Sequence, residues 1–468
     1  MRRRMVAVCL LLVVVLGGTT LAAISGMDKK RLQRQAGDYL DPQADDTVRS
    51  KAREEFTDYF KKKKVKELAD VEALSELLAE CGKRSSRHRG IVELTFQGMA
   101  EGRKYKTIVS APKKYDPNGP AWPLIFCVPD REQKAQDYLD KYWSSKAIRD
   151  EYIIAALEFD YSDVEVEERE TVKEEGEVKT IKKMVKKPFD WTHLRGVEQW
   201  WRSLIGLMIT EFKVDPNRVI LDGAGLGATG NLSIAAGNSW RFAGLILRGG
   251  EYDDPTIQNF ANLKVLAMPL PTAPEASAKT MEKLKEVAGK HFSAGTNGPE
   301  WMGGEDDGSA MLEWLNGAVR VRYPNPVTWT YTRDVHQIGH WVFVESVFKT
   351  TEPSRVTVEG DPKQNVIKIQ TENVQKFDLF LNDLLVDLDK PFKIVINGAE
   401  PREFERTRSA DDLLDHASVT GGKAPWDPGC VFTAEVKGLK VEPPPAGEKE
   451  DDAEKGGDKE EGNKEGGD

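Results

Sequence analysis

The chain has 468 residues, 39% hydrophobic and 31% charged, which is enough apolar content for two or three packed domains. Its formal net charge of −10 gives no electrostatic case for nucleic acid as a partner.

The N-terminus, MRRRMVAVCLLLVVVLGGTTLAAISGM, sets three arginines before an apolar run that ends in small residues. That is the layout of a secretory signal peptide, with cleavage after Ala23 or Ser25. Met5 to Met27 is also long enough to span a bilayer, so a retained membrane anchor stays open beside cleavage. Cys9 lies inside the apolar run and does not suit lipid attachment. Cys81, Cys127 and Cys430 are an odd, widely spaced set, a poor disulfide framework, and Cys127 reads as a core residue.

Residues 28–90 carry apolar residues at helical spacing, with Asp70 as an N-cap and Gly82 as a stop. They predict a solvated helical leader that packs weakly on the main domain. From Ile91, IVELTFQ and KYKTIVSAP predict a strand pair, and WPLIFCVP, YIIAALEF, RVILDG, FAGLILRGG and LKVLAMPL predict buried strands. Helical stretches at 193–212 and 275–289 separate several of them, which implies a mostly parallel sheet covered on both faces. The charged, alternating segment 164–187 predicts an exposed hairpin. Seven short strand patterns and one short helix then predict a β-rich domain over 322–440, as a small sandwich. The segment after 440 has almost no apolar residues and predicts a disordered acidic tail over 441–468.

The chemistry turns on RVILDGAGLGATGN. Gly223, Gly225 and Ala228 fit the dinucleotide pattern G-x-G-x-x-G/A, with Glu251 after the next strand placed to hold a ribose. A lone fingerprint of this kind is a weak signal, and that unit normally opens its domain. Gly223, Gly225 and Gly227 equally fit the nucleophile turn G-x-S-x-G, with glycine in the serine position.

The segment VDPNRVILDGAGLGATGNLSIAAGNSWRFAGLILRGG resembles that of α/β-hydrolase esterases related to polyhydroxyalkanoate depolymerases and prolyl oligopeptidase-like hydrolases. TIVSAPKKYDPNGPAWPLIFCVPD resembles the opening of the same families, and MLEWLN looks like their final helix. The resemblance covers roughly residues 91–321 and implies an α/β-hydrolase fold, a mostly parallel sheet with helices on both faces, plus the C-terminal β-rich domain.

The resemblance also implies four catalytic parts, and each departs from the pattern. The nucleophile position is Gly225, which has no side chain to form an acyl intermediate. The oxyanion loop reads CVPDREQK: Pro129 has no N–H, and Asp130 and Glu132 bring negative charge that opposes a developing oxyanion. Near the acid position Glu275 is the only carboxylate, and it reads as a first-turn helix residue. The loop before the final helix contains no histidine; His291 precedes it, and His336 and His340 lie in the β-rich part, read as surface or structural. The acidic turn 304–308 lacks calcium-loop spacing, and no zinc-site spacing occurs.

The expectation is therefore an exported, catalytically degenerate hydrolase fold that binds a small molecule, polymer or protein, with no cofactor and no metal. One alternative is an active hydrolase in which Ser233, His291, His336 or Glu275 converge elsewhere. The other is a nucleotide-binding protein using the glycine turn. Trp200 and Trp201 are expected in the core, with a pocket-lining role as the lesser reading.

Overall fold

The computed structural model describes residues 26–40, 45–63, 74, 77–78, 88–97, 104–131, 133–159, 164–174, 177–187, 197–269, 275, 277–301, 308–332, 337–420 and 429–436. The signal-like run before residue 26, Asp70, Cys81, Gly82, Glu132, His336, most of the acidic turn and the tail 441–468 lie outside them.

Two helices come first, α1 (Gly26–Leu40) and α2 (Asp46–Lys63). The main sheet is then built by β1 (Gly90–Gln97), β2 (Lys104–Ala111), β3 (Trp122–Val128), α3 (Ala135–Tyr142) and β4 (Ile153–Glu158). A ribbon follows, β5 (Val164–Glu174) paired with β6 (Glu177–Lys187), a two-stranded sheet of its own, as the alternating charge pattern predicts. The main sheet resumes with α4 (Val197–Glu211), β7 (Val214–Ala224), α5 (Leu226–Asn238), β8 (Gly244–Arg248), β9 (Lys264–Met268), α6 (Ala278–Ala288), β10 (Phe292–Ala294) and α7 (Ser309–Asn316).

Eight strands lie in the order β1-β2-β4-β3-β7-β8-β9-β10. β2 is antiparallel to both of its neighbours, and every pair from β4 to β10 is parallel. The near-continuous apolar runs arise because both faces are covered. Leu124, Phe126, Val128 and Leu221 face the core under α4, α5 and α6, where Trp201, Leu232 and Leu284 are buried. Ile125, Cys127 and Ile220 face the other core, with Tyr138, Trp143, Met311 and Trp314 from the α3 and α7 side.

The β-rich part contains β11 (Val327–Tyr331), β12 (Ile338–Gly339), β13 (Val342–Val347), β14 (Ser354–Asp361), β15 (Val366–Glu372), β16 (Val374–Leu381), β17 (Phe392–Ile396), β18 (Arg402–Phe404), α8 (Ala410–Thr420) and β19 (Cys430–Glu435). The sheets β11-β14-β15-β17-β18 and β12-β13-β16-β19 share one apolar core that includes Trp329, Trp341, Phe377 and Leu379. Strand β14 alternates between buried and less buried positions, as a strand with one solvent face must. Asn259, 2% exposed, ties this part to the main sheet. Its side-chain amide donates to the carbonyls of Ala236 at 2.8 Å and Thr330 at 2.9 Å, and its oxygen accepts the Thr330 N–H at 2.7 Å.

The leader corrects the expectation of weak packing on the main domain. Leu32 and Ala36 of α1, Phe56 of α2, and Leu74, Leu77 and Leu78 are buried in one cluster with Leu413, Leu414 and Ala417 of α8. Arg53 donates to Asp415 at 2.7 Å across the same contact. Isolated short helices are marginal in water, so this leader holds its shape by burying an apolar stripe against the β-rich part.

Candidate functional site

The glycine turn lies where β7 hands over to α5, at the carboxyl ends of the parallel strands. Gly225 has φ 49° and ψ −119°, a conformation strained for any residue with a side chain. The turn is pinned on three sides. The Gly225 N–H donates to the Arg248 carbonyl at 3.0 Å, and the Thr229 N–H donates to the Gly225 carbonyl at 3.1 Å. The Asn231 amide donates to the Asp222 carbonyl at 2.8 Å. The flanking glycines are steric necessities. A Cβ on Gly223 would stand 2.8 Å from the Ala228 nitrogen, and one on Gly227 would overlap the Val128 carbonyl oxygen. Gly227 thus lets the first turn of α5 lie directly on the end of β3.

A tight strand-turn-helix with small flanking residues at the switch point of this strand order has the backbone geometry of a nucleophile elbow. The fold is that of the α/β-hydrolases.

What fills the elbow is not what the sequence predicts. A Cβ built on Gly225 would overlap the carboxylate of Asp130, which comes from the loop after β3. Asp130 Oδ1 accepts the N–H of Leu226 at 2.9 Å and the N–H of Arg131 at 2.8 Å. The donor after the elbow residue and a donor from the loop after β3 are the two groups that an oxyanion hole of this fold provides. Here both are spent on an aspartate of the same chain. The negative charge of Asp130 is legible in CVPDREQK; its contact with the Leu226 N–H is not. The signal is complementary: no side chain at Gly225 and a carboxylate at Asp130.

Directly beneath the turn, Asp222 and Arg248 form an ion pair at 3.3 Å, with side chains 0% and 2% exposed. Asp222 also accepts from Tyr138 Oη and Trp143 Nε1, each at 2.8 Å. The Arg248 guanidinium lies over the Tyr142 ring, 4.2 Å from its centroid. Burial opposes the charge on Arg248, yet Asp222 and Tyr138 hold its pKa above the ordinary value. Burial and the nearby Asp222 push the Cys127 thiol and the Tyr138 hydroxyl up, so both stay protonated. Sequence reasoning missed this pair. Its signal is the aspartate that ends the apolar run of β7 and the one arginine of β8, each just before a glycine.

The other candidates do not gather at the elbow. Ser233 sits seven residues into α5, about 10 Å down the helix from Leu226 at 1.5 Å per residue. His291 precedes Phe292, which pairs level with Val265, and through it with Leu245 and Leu221. Counting strands and residues puts His291 on the order of 20 Å from Gly225, toward the opposite ends of the strands. Its pKa is lowered by burial and by Lys290 and Lys264. Glu275 is exposed in the turn before α6, not in its first turn; its carbonyl accepts the Ala278 N–H at 3.2 Å. Glu251 is exposed, its N–H donating to Thr229 Oγ1 at 3.0 Å. His340 is buried in the β-rich part rather than on the surface. Trp201 is fully buried in the core under α4, edge-on to Phe126. Among the described residues no group of three or more His, Cys, Asp or Glu could hold a metal ion, and no helix is long and apolar enough to cross a membrane.

No family model and no curated protein matches the chain. Solved structures with some likeness include a thermostable esterase, at 16% identity and TM-score 0.33, covering 49% of this chain and 63% of that one. The BES protein from Bacillus cereus aligns at 14% identity and TM-score 0.33, covering 51% of this chain and 99% of that one. The apo S-formylglutathione hydrolase from Staphylococcus aureus aligns at 10% identity and TM-score 0.32, covering 49% and 98%.

Proposed function

We propose that this is an exported protein that has kept the hydrolase fold without acyl-transfer chemistry, and that it acts by binding a small molecule, polymer or protein, or as a scaffold. One observation carries the reading: the Asp130 carboxylate fills both the nucleophile's space at Gly225 and the pair of N–H donors at Leu226 and Arg131. A substrate carbonyl at this turn would meet an anion where it needs donors, and no side chain at Gly225 to attack it.

The same carboxylate weighs against a pyrophosphate on the glycine turn, because it would set two anions at one helix end. The positions of Ser233 and His291 weigh against a relocated triad built from them. Export rests on the arginines before the apolar run at the N-terminus.

The test uses purified protein with short-chain aryl esters and a serine-reactive fluorophosphonate. The expected result is no turnover above buffer and no covalent label. Stoichiometric labelling of any serine, with matching ester turnover, overturns the proposal.

A further inference from the structure

The leader helices carry their charge unevenly. α1 and α2 run antiparallel: Gln35 Nε2 donates to Glu55 at 2.9 Å, and Tyr59 Oη donates to Asp28 at 3.4 Å. The start of α1 therefore lies beside the end of α2. Met27, Lys30, Arg31 and Arg34 stand at helical spacing on one face of α1, and all four are exposed, Met27 at 83%. Leu32 and Ala36 are on the other side, buried against α8. The last turn of α2 reads Lys61-Lys62-Lys63. Asp28 and Asp58 are the carboxylates at this end. Asp38 shares the exposed face but lies about 6 Å beyond Arg34 along the axis. Among the described residues Lys30 and Arg34 enter no ion pair, and the Arg31 guanidinium lies over the Tyr59 ring, 5.5 Å from its centroid. Cations at the start of a helix work against its dipole, so the stability of α1 does not account for them. A second feature meets them there. The apolar run from Met5 leads directly into this end of α1 and is long enough to enter a bilayer.

We infer that the basic end of the α1–α2 pair docks on an anionic lipid surface, with Lys30, Arg31 and Arg34 toward the headgroup phosphates and Met27 toward the acyl boundary. A cluster of cations beside an apolar segment is the pattern that an anionic membrane attracts. The other side of the pair is fastened to α8 by Leu32, Ala36 and Phe56, and Arg53 donates to Asp415 at 2.7 Å across that contact. Docking through the exposed face therefore sets the whole folded chain in one orientation on the membrane. The inference goes beyond the reading above and does not depend on the state of the Gly225 turn.

The experiment sediments the full chain with vesicles of phosphatidylcholine alone and of phosphatidylcholine mixed with phosphatidylglycerol. At low salt the wild type is expected to favour the anionic vesicles, and Lys30→Glu with Arg34→Glu to weaken that binding by about tenfold or more. Raising sodium chloride should erase the preference, because the docking charges are exposed. Lys113→Glu with Lys285→Glu makes the same change in net charge at exposed positions of the main-sheet part, and is expected to keep the preference. Lys30→Arg with Arg34→Lys keeps the charge and is expected to bind as the wild type does; a loss there would mark disturbed packing and overturn the inference. Equal binding of the wild type to both vesicles overturns it, as does an equal loss in the Lys113 and Lys285 variant. Wild-type protein that ignores anionic vesicles but binds heparin would assign the face to an acidic polymer and overturns the lipid assignment. Serine labelling of the wild type defeats the proposed function, whereas the vesicle result decides only this face, so the two outcomes are separate.

Discussion

The carboxylate of Asp130 stands where a side chain on Gly225 would stand, and the two residues therefore exclude each other's catalytic alternatives. Gly225→Ser alone is expected to lose about 1–3 kcal/mol, from a strained φ and from overlap with Asp130. It should acquire no reactivity toward a fluorophosphonate. Adding Asp130→Gly removes the overlap, so the double variant should recover part of the loss. Urea unfolding of the two single variants and the double measures the coupling; additive losses would show that the two positions do not compete for space.

The buried pair beneath the turn has a different signature. Asp222→Ala leaves Arg248 charged and uncompensated inside the sheet, with an expected cost of about 3–5 kcal/mol. Replacing both, with Asp222→Ala and Arg248→Met, should cost clearly less than Asp222→Ala alone, because no bare charge remains. Chemical denaturation of the three variants checks the order.

Asn259 satisfies three backbone groups at the junction of the main sheet and the β-rich part. Asn259→Ala orphans them at about 1–3 kcal/mol for each group left without a partner. Calorimetry of the variant should resolve two unfolding steps or one broadened step where the wild type gives a single sharper one. An unchanged trace would mean that apolar contacts, such as Trp240 in the sandwich core, couple the parts without it.

Acid should loosen the β-rich part first. Burial, helped by the charge of Arg320, pushes the His340 pKa down to about 3, and burial with Arg241 does the same to His416. Both are then neutral in the fold and gain a proton on unfolding near pH 6.5. Their contribution is whole above pH 6.5 and falls as pH drops from there toward 3, by about 1.4 kcal/mol per pH unit for each histidine. Tm should decline between pH 7 and 5, and His416→Leu should flatten the slope by about the share of one proton. An equal slope in that variant would remove His416 from the account.

Local physics made much of this protein readable in advance. Period-two and continuous apolar runs mark the strands, and the 164–187 charge alternation marks the β5–β6 ribbon, because strand faces depend on neighbours in sequence. The β18 edge carries too little apolar sequence to announce itself. The tight spacing of Gly223, Gly225 and Gly227 announces an elbow, because the steric demand is local to the turn.

The sequence by itself determined that Gly225 has no nucleophile, that the chain alternates strands and helices, and that the last strands form a separate β-rich part. Only the tertiary structure decided that Asp130 enters the Gly225 turn, since the Leu226 bond joins residues 96 apart. It alone paired Asp222 with Arg248, set α1 and α2 on α8, and carried His291 toward the far ends of the strands. The physical reason is the same in each case. Periodicity and turn sterics are properties of adjacent residues, whereas charge pairing, capping from another loop and helix docking depend on where the folded chain returns in space.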